Sequence, residues 1–423
     1  MFHVQCDVAV VGGGPAGLSA AVAAKKQGAQ RVCIIERDKS LGGILQQCIH
    51  AGFGMTYFRQ ELTGPEYAAR FITLAREQEV SVLTDTMVLR LEEDKRLICA
   101  SGEHGLTEVC AGSIVLSMGC RERTRGSIRI PGTRPAGIYT AGAAQRLMNC
   151  QNKTVGRRVV ILGSGDIGMI MARRMTLEGA QVCAVVEIMP YLAGLTRNRV
   201  QCLDDFDIPL LLAHTVTKIV GRERVEGVWV QRVDEKRAPV EGTEHFFECD
   251  TLLLSVGLIP ENELTAAAGI EMAPITNGPV VNQHTQTSNP GAFACGNVLH
   301  VNDLVDHVSA ESEIAGRAAA RYALGTFGKT LREAACEAGK GVRYVCPQRL
   351  CIGEDLEETA MLYFRVGAPM GAGEIKVESG GHVVASRRIS RANPGEMEKM
   401  AVRLGDVAGD TVTVSVEPRE EKQ

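Results

Sequence analysis

Up to Gly325 the chain is patterned by short apolar runs, most of them closed at once by glycine or an acid. Residues 7–11 (DVAVV), 31–36, 113–118 (SIVLSM), 158–162 (RVVIL), 181–187 and 251–256 (TLLLSV) lack polar alternation. That is the pattern of strands buried on both faces of a parallel sheet. Residues 15–27 and 169–177 carry no breaker and read as helices, ended by Gly28 and Gly179. Tyr67, Phe71, Leu74 and Ala75 recur at helical spacing and predict a helix over 64–79 with one buried face. Short strands are expected at 80–83 and 87–92, a small meander around 96–100 and 108–111, and antiparallel strands at 225–232 and 244–249. Residues 121–142 mix Arg, Pro and Gly without a period and read as a crossover between domains, followed by a short helix at 143–150. An Ala-rich helix is expected over 305–324. From Thr330 the pattern changes: a polar helical linker leads to short strands at 343–345, 361–366, 374–378, 382–388 and 411–417, a small β domain.

The glycines give this pattern its chemistry. Gly12-x-Gly14-x-x-Gly17 follows the first strand and opens the first helix, and the next strand closes on Glu36. In that context Gly12 makes the tight turn, Gly14 admits a pyrophosphate against the backbone, and Gly17 lets helix and strand approach. The phosphates would sit on the helix N-terminus and Glu36 would accept from a ribose diol. The same arrangement recurs at Gly163-x-Gly165-x-x-Gly168, closing on Glu187, with equal spacing from first glycine to acid (36−12=24; 187−163=24). Two such fingerprints argue for two dinucleotide sites. The predicted fold class is α/β: two Rossmann-like dinucleotide-binding domains with three-layer ββα organisation, plus a small C-terminal β domain. The Glu187 carboxylate favours a free ribose 2′-hydroxyl and repels a 2′-phosphate, so NAD(H) is expected over NADP(H). Arg197 and Arg199, a little further on, act against that preference.

Bulk properties remove several classes of function. The chain has 423 residues, with 46 Lys+Arg against 50 Asp+Glu, so no basic footprint for nucleic acid or an anionic membrane is present. No apolar run is long enough to span a bilayer and no signal peptide is read at the start, so direct membrane insertion is not expected. The 14 cysteines form no C-x-x-C pair and read as reduced thiols of a cytoplasmic protein; Cys346 and Cys351 read as structural. His300, Asp303, Asp306 and His307 mimic metal-ligand spacing, but the start of a helix accounts for them and no metal is expected. Residues 41–54 (LGGILQQCIHAGFG) are irregular, glycine-punctuated and nearly uncharged, suited to lie along a flat aromatic cofactor.

With the late Gly296-Asn297 pair before a helix, these features resemble the flavoproteins with two dinucleotide-binding domains, among them the pyridine nucleotide–disulfide reductases, over Met1 to Gly325. The resemblance implies FAD on the first fingerprint and NAD(P)H on the second. It implies a discontinuous FAD domain (1–124 and 276–328), an NAD(P)H domain (125–275) and a separate β-rich domain (335–423). The FAD residues would be Gly12, Gly14, Pro15, Ala16, Gly17, Glu36, Arg37, Gly43, Ile44, Leu45, Val88, Gly119, Gly296, Asn297 and Val308. The NAD residues would be Gly163, Gly165, Asp166, Ile167, Gly168, Glu187 and Gly257. Asn297 stands where the family has Asp, which removes one negative charge near the cofactor. Only Cys48 follows Gly42-Gly43, so a flavin-adjacent disulfide is excluded within this segment.

GGILQQCIHAGFG, SMGCRERTRG and VNDLVDHVSAESEIAGRAA resemble more narrowly the FAD/NAD-binding α-type subunits of heteromeric bacterial dehydrogenases. Those include subunits of hydrogen cyanide synthase, opine oxidases and proline dehydrogenases, and the form found with glycerol-3-phosphate-dehydrogenase-like partners. The implied activity is hydride transfer between NAD(P)H and FAD, with electrons passed to a partner protein or small acceptor. Cys48 and His50 would be the flavin-proximal, catalytic side chains, and Asp306 and His307 would set the helix start against the flavin pyrimidine. The alternative is a relay FAD-binding subunit whose substrate is oxidised on another chain. Partners are then NAD(P)H and a dehydrogenase or acceptor protein, in a homo- or hetero-oligomer.

Overall fold

The structure is a computed structural model that describes residues 1–92 and 94–419. It divides into two compact units, one of residues 1–120 and 260–423, the other of residues 121–259. The second unit therefore closes at Ile259, earlier than the expected 275.

The first unit is built on a seven-stranded sheet. Phe2–Val11 lies centrally, parallel to Val32–Ile35 on one side and to Gly105–Leu116 on the other. Ser81–Leu83 and Ala292–Ala294 extend the parallel pairing, while Arg96–Ser101 and Thr86–Leu91 add antiparallel strands. Three helices, Pro15–Lys26, Gly64–Glu77 and Val305–Ala323, contribute to the apolar core on one face. A second core, containing Val88, Leu97 and Val109, fills the other. Small residues let the first and last of these helices approach: a Cβ on Gly316 would lie 2.1 Å from the carbonyl oxygen of Ala20. The helix Gly64–Glu77 starts with a capping box between Thr63 and Glu66, two orphan N–H groups being satisfied reciprocally. The two runs expected separately at 108–111 and 113–118 are one strand, Gly105–Leu116. Gly112 makes this possible, because a side chain there would meet the Asp7 carbonyl at 2.9 Å and Ala323 at 3.0 Å.

The second unit has a five-stranded parallel sheet in the order Ile138–Thr140, Thr251–Leu254, Arg158–Leu162, Gln181–Glu187, Leu210–Leu212. The antiparallel strands His214–Gly221, Val225–Arg232 and His245–Glu248 form a second layer. Part of the stretch expected to be a featureless crossover belongs to the parallel sheet as the strand Ile138–Thr140.

The C-terminal region clusters with the first unit. It has one five-stranded and one three-stranded sheet around a core that includes Leu362, Phe364, Val377 and Val414. The polar helical linker expected from Thr330 is not helical: Lys329–Ala338 is a strand. Its Leu, Arg, Glu and Ala residues favour helix in isolation, but pairing with Arg349–Glu354 on one side and Thr411–Pro418 on the other overrides that preference. The strands Arg349–Glu354 and Glu398–Arg403 had no clear sequence signal. Residues 420–423 of the expected β domain lie outside the described residues.

Candidate dinucleotide sites

In the first unit the three glycines of the fingerprint differ in their surroundings. Gly12 has φ +104, and a Cβ on it would lie 2.6 Å from the Ser117 carbonyl oxygen. A Cβ on Gly17 would lie 1.8 Å from the Gly12 carbonyl oxygen, whereas nothing lies within 4 Å of one on Gly14. The turn and the packing contact are thus closed, and the middle glycine is open. Glu36, only 7% exposed, accepts from the N–H groups of Gly13 at 2.6 Å and Asp38 at 2.7 Å, so its carboxylate is fixed at the head of the loop.

Gly42 donates to the Gly13 carbonyl at 2.9 Å, and a Cβ on Gly43 would lie 3.0 Å from the Gly14 Cα. The Gly42-Gly43 turn therefore lies beside the open glycine. On another side a Cβ on Gly296 would lie 2.8 Å from Ala16 and 3.3 Å from Val308. Gly12, Gly14, Ala16, Gly17, Glu36, Gly43, Gly296 and Val308 thus converge on the start of the helix Pro15–Lys26. Asn297 follows directly, its Oδ1 accepting from the Asn302 N–H at 3.0 Å. Thr86 donates to the Glu36 carbonyl at 2.9 Å, which brings the strand of Val88 toward the same end; the Val88 side chain is itself buried.

Of three further expected residues, Arg37 is exposed, Ile44 is 53% exposed, and the Leu45 side chain is buried in the apolar core. Gly119 has φ +75, and its carbonyl accepts from the Glu261 N–H at 3.0 Å.

The segment after Gly43 forms a short 3-10 turn, Gly43–Gln47. The Cys48 thiol reaches the Ile44 carbonyl at 3.3 Å, and the Cys48 carbonyl accepts from Gly64 at 2.8 Å. His50 Nδ1 lies 3.0 Å from the Ala51 carbonyl, and its ring centroid is 5.0 Å from that of Phe53. The residues with metal-like spacing have separate partners. His300 Nε2 meets Glu311 at 2.5 Å, Asp303 pairs with Arg365, and Asp306 Oδ2 accepts from the Thr56 N–H at 3.0 Å. Asp306 therefore ties the segment around Thr56 to the helix rather than capping it. His307 is half-buried, and burial, followed by the Lys399 ammonium, holds its imidazole below the usual range.

The second unit repeats the tight first glycine and the buried acid of the first. Gly163 has φ +99 with its Cβ direction blocked 2.0 Å away by the Ser255 carbonyl, and Gly168 packs on Ser255. Glu187, 4% exposed, accepts from the Ser164 N–H at 2.8 Å and the Met189 N–H at 2.9 Å, the positions equivalent to Gly13 and Asp38. The Ser164 hydroxyl adds a third bond at 2.8 Å. Asp166 Oδ1 accepts from the Leu195 N–H at 2.9 Å and Asn198 Nδ2 at 2.6 Å, which fastens the start of the helix Thr196–Cys202 to the helix opened by the second glycine loop. Ile167 is partly buried behind it. Gly257 is exposed at φ +101, and Arg199 pairs with Asp204 at 3.5 Å rather than with Glu187.

Sequence reasoning missed Ser117, Ser255, Asn302 and Glu311. Glu311 lies mid-helix and carries no motif, yet at 3% exposure it accepts from the Gly296 N–H at 2.6 Å as well as contacting His300. The serines lie at the ends of apolar runs, a position that pattern reading assigns to the strand alone.

Each unit thus carries its own strand–glycine loop–helix with a buried acid at its head, which defines a two-site dinucleotide-binding α/β protein. The profile of the family described as pyridine nucleotide-disulphide oxidoreductase matches residues 6–319, and the chain belongs to that family. It is a flavoprotein oxidoreductase.

Among its relatives is hydrogen cyanide synthase subunit HcnB of Pseudomonas protegens, 24% identical over 78% of this chain and 73% of that protein. One of the opine oxidase subunits of Agrobacterium tumefaciens is 25% identical over 75% of this chain and 65% of its own length. An NADH dehydrogenase of Ferdinandcohnia aciditolerans is 27% identical, over 77% and 58%. The fold is similar to that of T. acidophilum thioredoxin reductase, with a TM-score of 0.62 and 24% identity over 76% of this chain and 99% of that one. It is also similar to P. horikoshii L-proline dehydrogenase, with a TM-score of 0.53 and 20% identity over 77% and 56%. No helix among the described residues is long and apolar enough to cross a membrane.

Proposed function

We propose that the chain transfers hydride between NAD(H) and FAD and passes the electrons to a partner protein or a small acceptor, without a redox-active disulfide. The observation that carries this reading is the repeated buried carboxylate: Glu36 on Gly13 and Asp38, and Glu187 on Ser164 and Met189. The glycine cradle of the first unit fits FAD. Gly14 is open where a pyrophosphate must approach, and the crowding at Gly43 and Gly296 leaves no room for side chains beside it. FAD, when bound, supplies the two-electron carrier between nicotinamide and acceptor.

The chain's own contribution is position and charge. The helix Pro15–Lys26 turns its N-terminus to the phosphates, Glu36 fixes the loop and meets the ribose, and Gly296-Asn297 borders the ribityl chain. In the second unit Glu187 retains lone-pair capacity for a ribose diol and repels a 2′-phosphate, which supports NAD(H) over NADP(H). Cys48 and His50 are the chemistry-bearing side chains of the segment after Gly43. Cys48 is the single cysteine of residues 41–54, and the proposed hydride transfer uses no dithiol. Burial pushes the Cys33, Cys249, Cys295 and Cys336 thiols up to about 12, which keeps them protonated and unreactive. The 14 cysteines, with no C-x-x-C pair among them, fit a reducing, cytoplasmic setting.

The test is NADH-dependent reduction of an artificial dye by purified, FAD-loaded protein, compared with Cys48→Ser. Wild-type turnover that prefers NADH to NADPH supports the reading, and an unreduced dye with either nucleotide sinks it; a partial loss in Cys48→Ser fits a single flavin-proximal thiol. A relay role is the second reading, favoured because two relatives are named as subunits. In that case FAD is retained but the dye is reduced only when a partner dehydrogenase and its substrate are added.

A further inference from the structure

We propose that Arg365, in the C-terminal β region, is a positioning residue for the FAD site that acts through the 301–303 backbone on Asn297. This rests on the reading of Asn297 as a cofactor contact. Arg365 lies on the strand Thr359–Val366, far in sequence from either fingerprint. Its Nη2 donates to the Val301 carbonyl at 3.0 Å and to Asp303 Oδ1, and its Nη1 donates to the Pro394 carbonyl at 3.1 Å. Asp303 is held from the same region a second time, by the Met397 N–H at 2.7 Å. Both side chains of the Arg365–Asp303 pair are 13% exposed, so the pair is shielded from solvent screening.

The residue between the two held positions is Asn302. Its N–H donates to Asn297 Oδ1 at 3.0 Å, and its side-chain amide donates to the His300 carbonyl at 3.2 Å. One guanidinium from the β region therefore clamps the residues on either side of the one that orients Asn297. From the opposite side Glu311 holds the Gly296 N–H at 2.6 Å. The Gly296 N–H is thus anchored by Glu311 of the helix Val305–Ala323, while Asn297 is held at Oδ1 by the clamped Asn302 and donates from Nδ2 to Cys120 Sγ at 3.5 Å. A planar fork suits this task, because three acceptors are met by two nitrogens; a lysine ammonium is a point charge and cannot span them. The β region does not depend on Arg365 for docking. Cys351 N–H donates to Gln283 at 2.8 Å, and the Val281 N–H donates to Gln348 at 3.0 Å, at a separate contact.

The test is FAD release from holoprotein on dilution, followed by flavin fluorescence, together with the visible circular dichroism of the bound flavin. Arg365→Met is expected to speed release about tenfold, the equivalent of one lost charge-assisted hydrogen bond. It is also expected to alter the flavin dichroism, with Arg365→Lys intermediate. In an Asn297→Ala background Arg365→Met should add little further acceleration, because the relay ends on Asn297. Unchanged release and dichroism in folded Arg365→Met, or equal acceleration with and without Asn297, overturns the proposal. Should Arg365→Met not fold, Asp303→Asn gives the same readouts, and wild-type release from that variant overturns it. Wild-type protein that takes up no FAD overturns the underlying site reading as well; wild-type protein that holds FAD beside unaffected variants overturns this inference alone.

Discussion

Replacing Gly163 by alanine is expected to disable the nicotinamide nucleotide site and leave the flavin site intact. The alanine Cβ would lie 2.0 Å from the Ser255 carbonyl oxygen, at a backbone φ of +99. Left-handed backbone costs a residue with a side chain about 1–2 kcal/mol, and displacing a packed neighbour costs about 1–3 kcal/mol. If this total of about 2–5 kcal/mol is expressed in binding, NADH affinity falls roughly 30-fold to several-thousand-fold. The assay is titration of FAD-loaded protein with NADH, with flavin content measured on the same sample. Gly163→Ala should carry as much FAD as wild type and bind NADH at least 30-fold more weakly, on the order of the lower bound above. Gly12→Ala, with its Cβ 2.6 Å from the Ser117 carbonyl at φ +104, should show the opposite pattern: flavin lost and NADH binding retained. Flavin loss in Gly163→Ala with retention in Gly12→Ala would reverse the assignment of the two loops. Wild-type NADH affinity in Gly163→Ala would refute the role given to that turn.

Three further outcomes concern single carboxylates, Glu187, Glu311 and Glu357. Glu187→Ala strips the acceptor from Ser164 and Met189, so KM for NADH should rise about tenfold and the discrimination against NADPH should shrink, measured as the ratio of kcat/KM values. Glu311→Ala leaves the Gly296 N–H and a fully buried His300 without their partner; it should cost about 3 kcal/mol by urea unfolding, with Glu311→Gln losing less. The hydrogen bond from His284 is the main cause holding the Glu357 carboxyl at about 2, down from 4.5. A depressed carboxylate stabilises the fold above its unfolded value and loses that contribution as pH falls through the folded one. Glu357→Gln should therefore lower Tm at pH values above 4.5, and the gap to wild type should close as pH drops from 4.5 toward 2; a gap that widens on acidification would contradict it.

Much of the nucleotide-binding architecture was legible in the chain because it depends on local rules. Gly12, Gly17, Gly163 and Gly168 occupy positions where a Cβ would strike backbone or a neighbouring serine, and their spacing announces that crowding in advance. The apolar runs at 158–162 and 251–256 matched buried strands because burial on both faces leaves no polar alternation to misread. What escaped depends on distant partners. Lys329–Ala338 has the composition of a helix and becomes a strand only because two neighbouring strands pair with it. Glu311 looks like one more acid on an amphipathic helix until Gly296 and His300 are folded against it. Arg365 has no motif, and its acceptors Val301 and Asp303 lie 64 and 62 residues earlier in the chain.

Anaerobic mixing of the purified, FAD-loaded chain with NADH, followed in the flavin's visible absorption band, tests the central claim most directly. The account predicts that the band bleaches within seconds, one NADH consumed for each FAD, with NADPH acting far more slowly. A flavin spectrum unchanged over many minutes with either nucleotide would contradict it, and would make the chain a carrier of FAD whose electrons arrive from another protein.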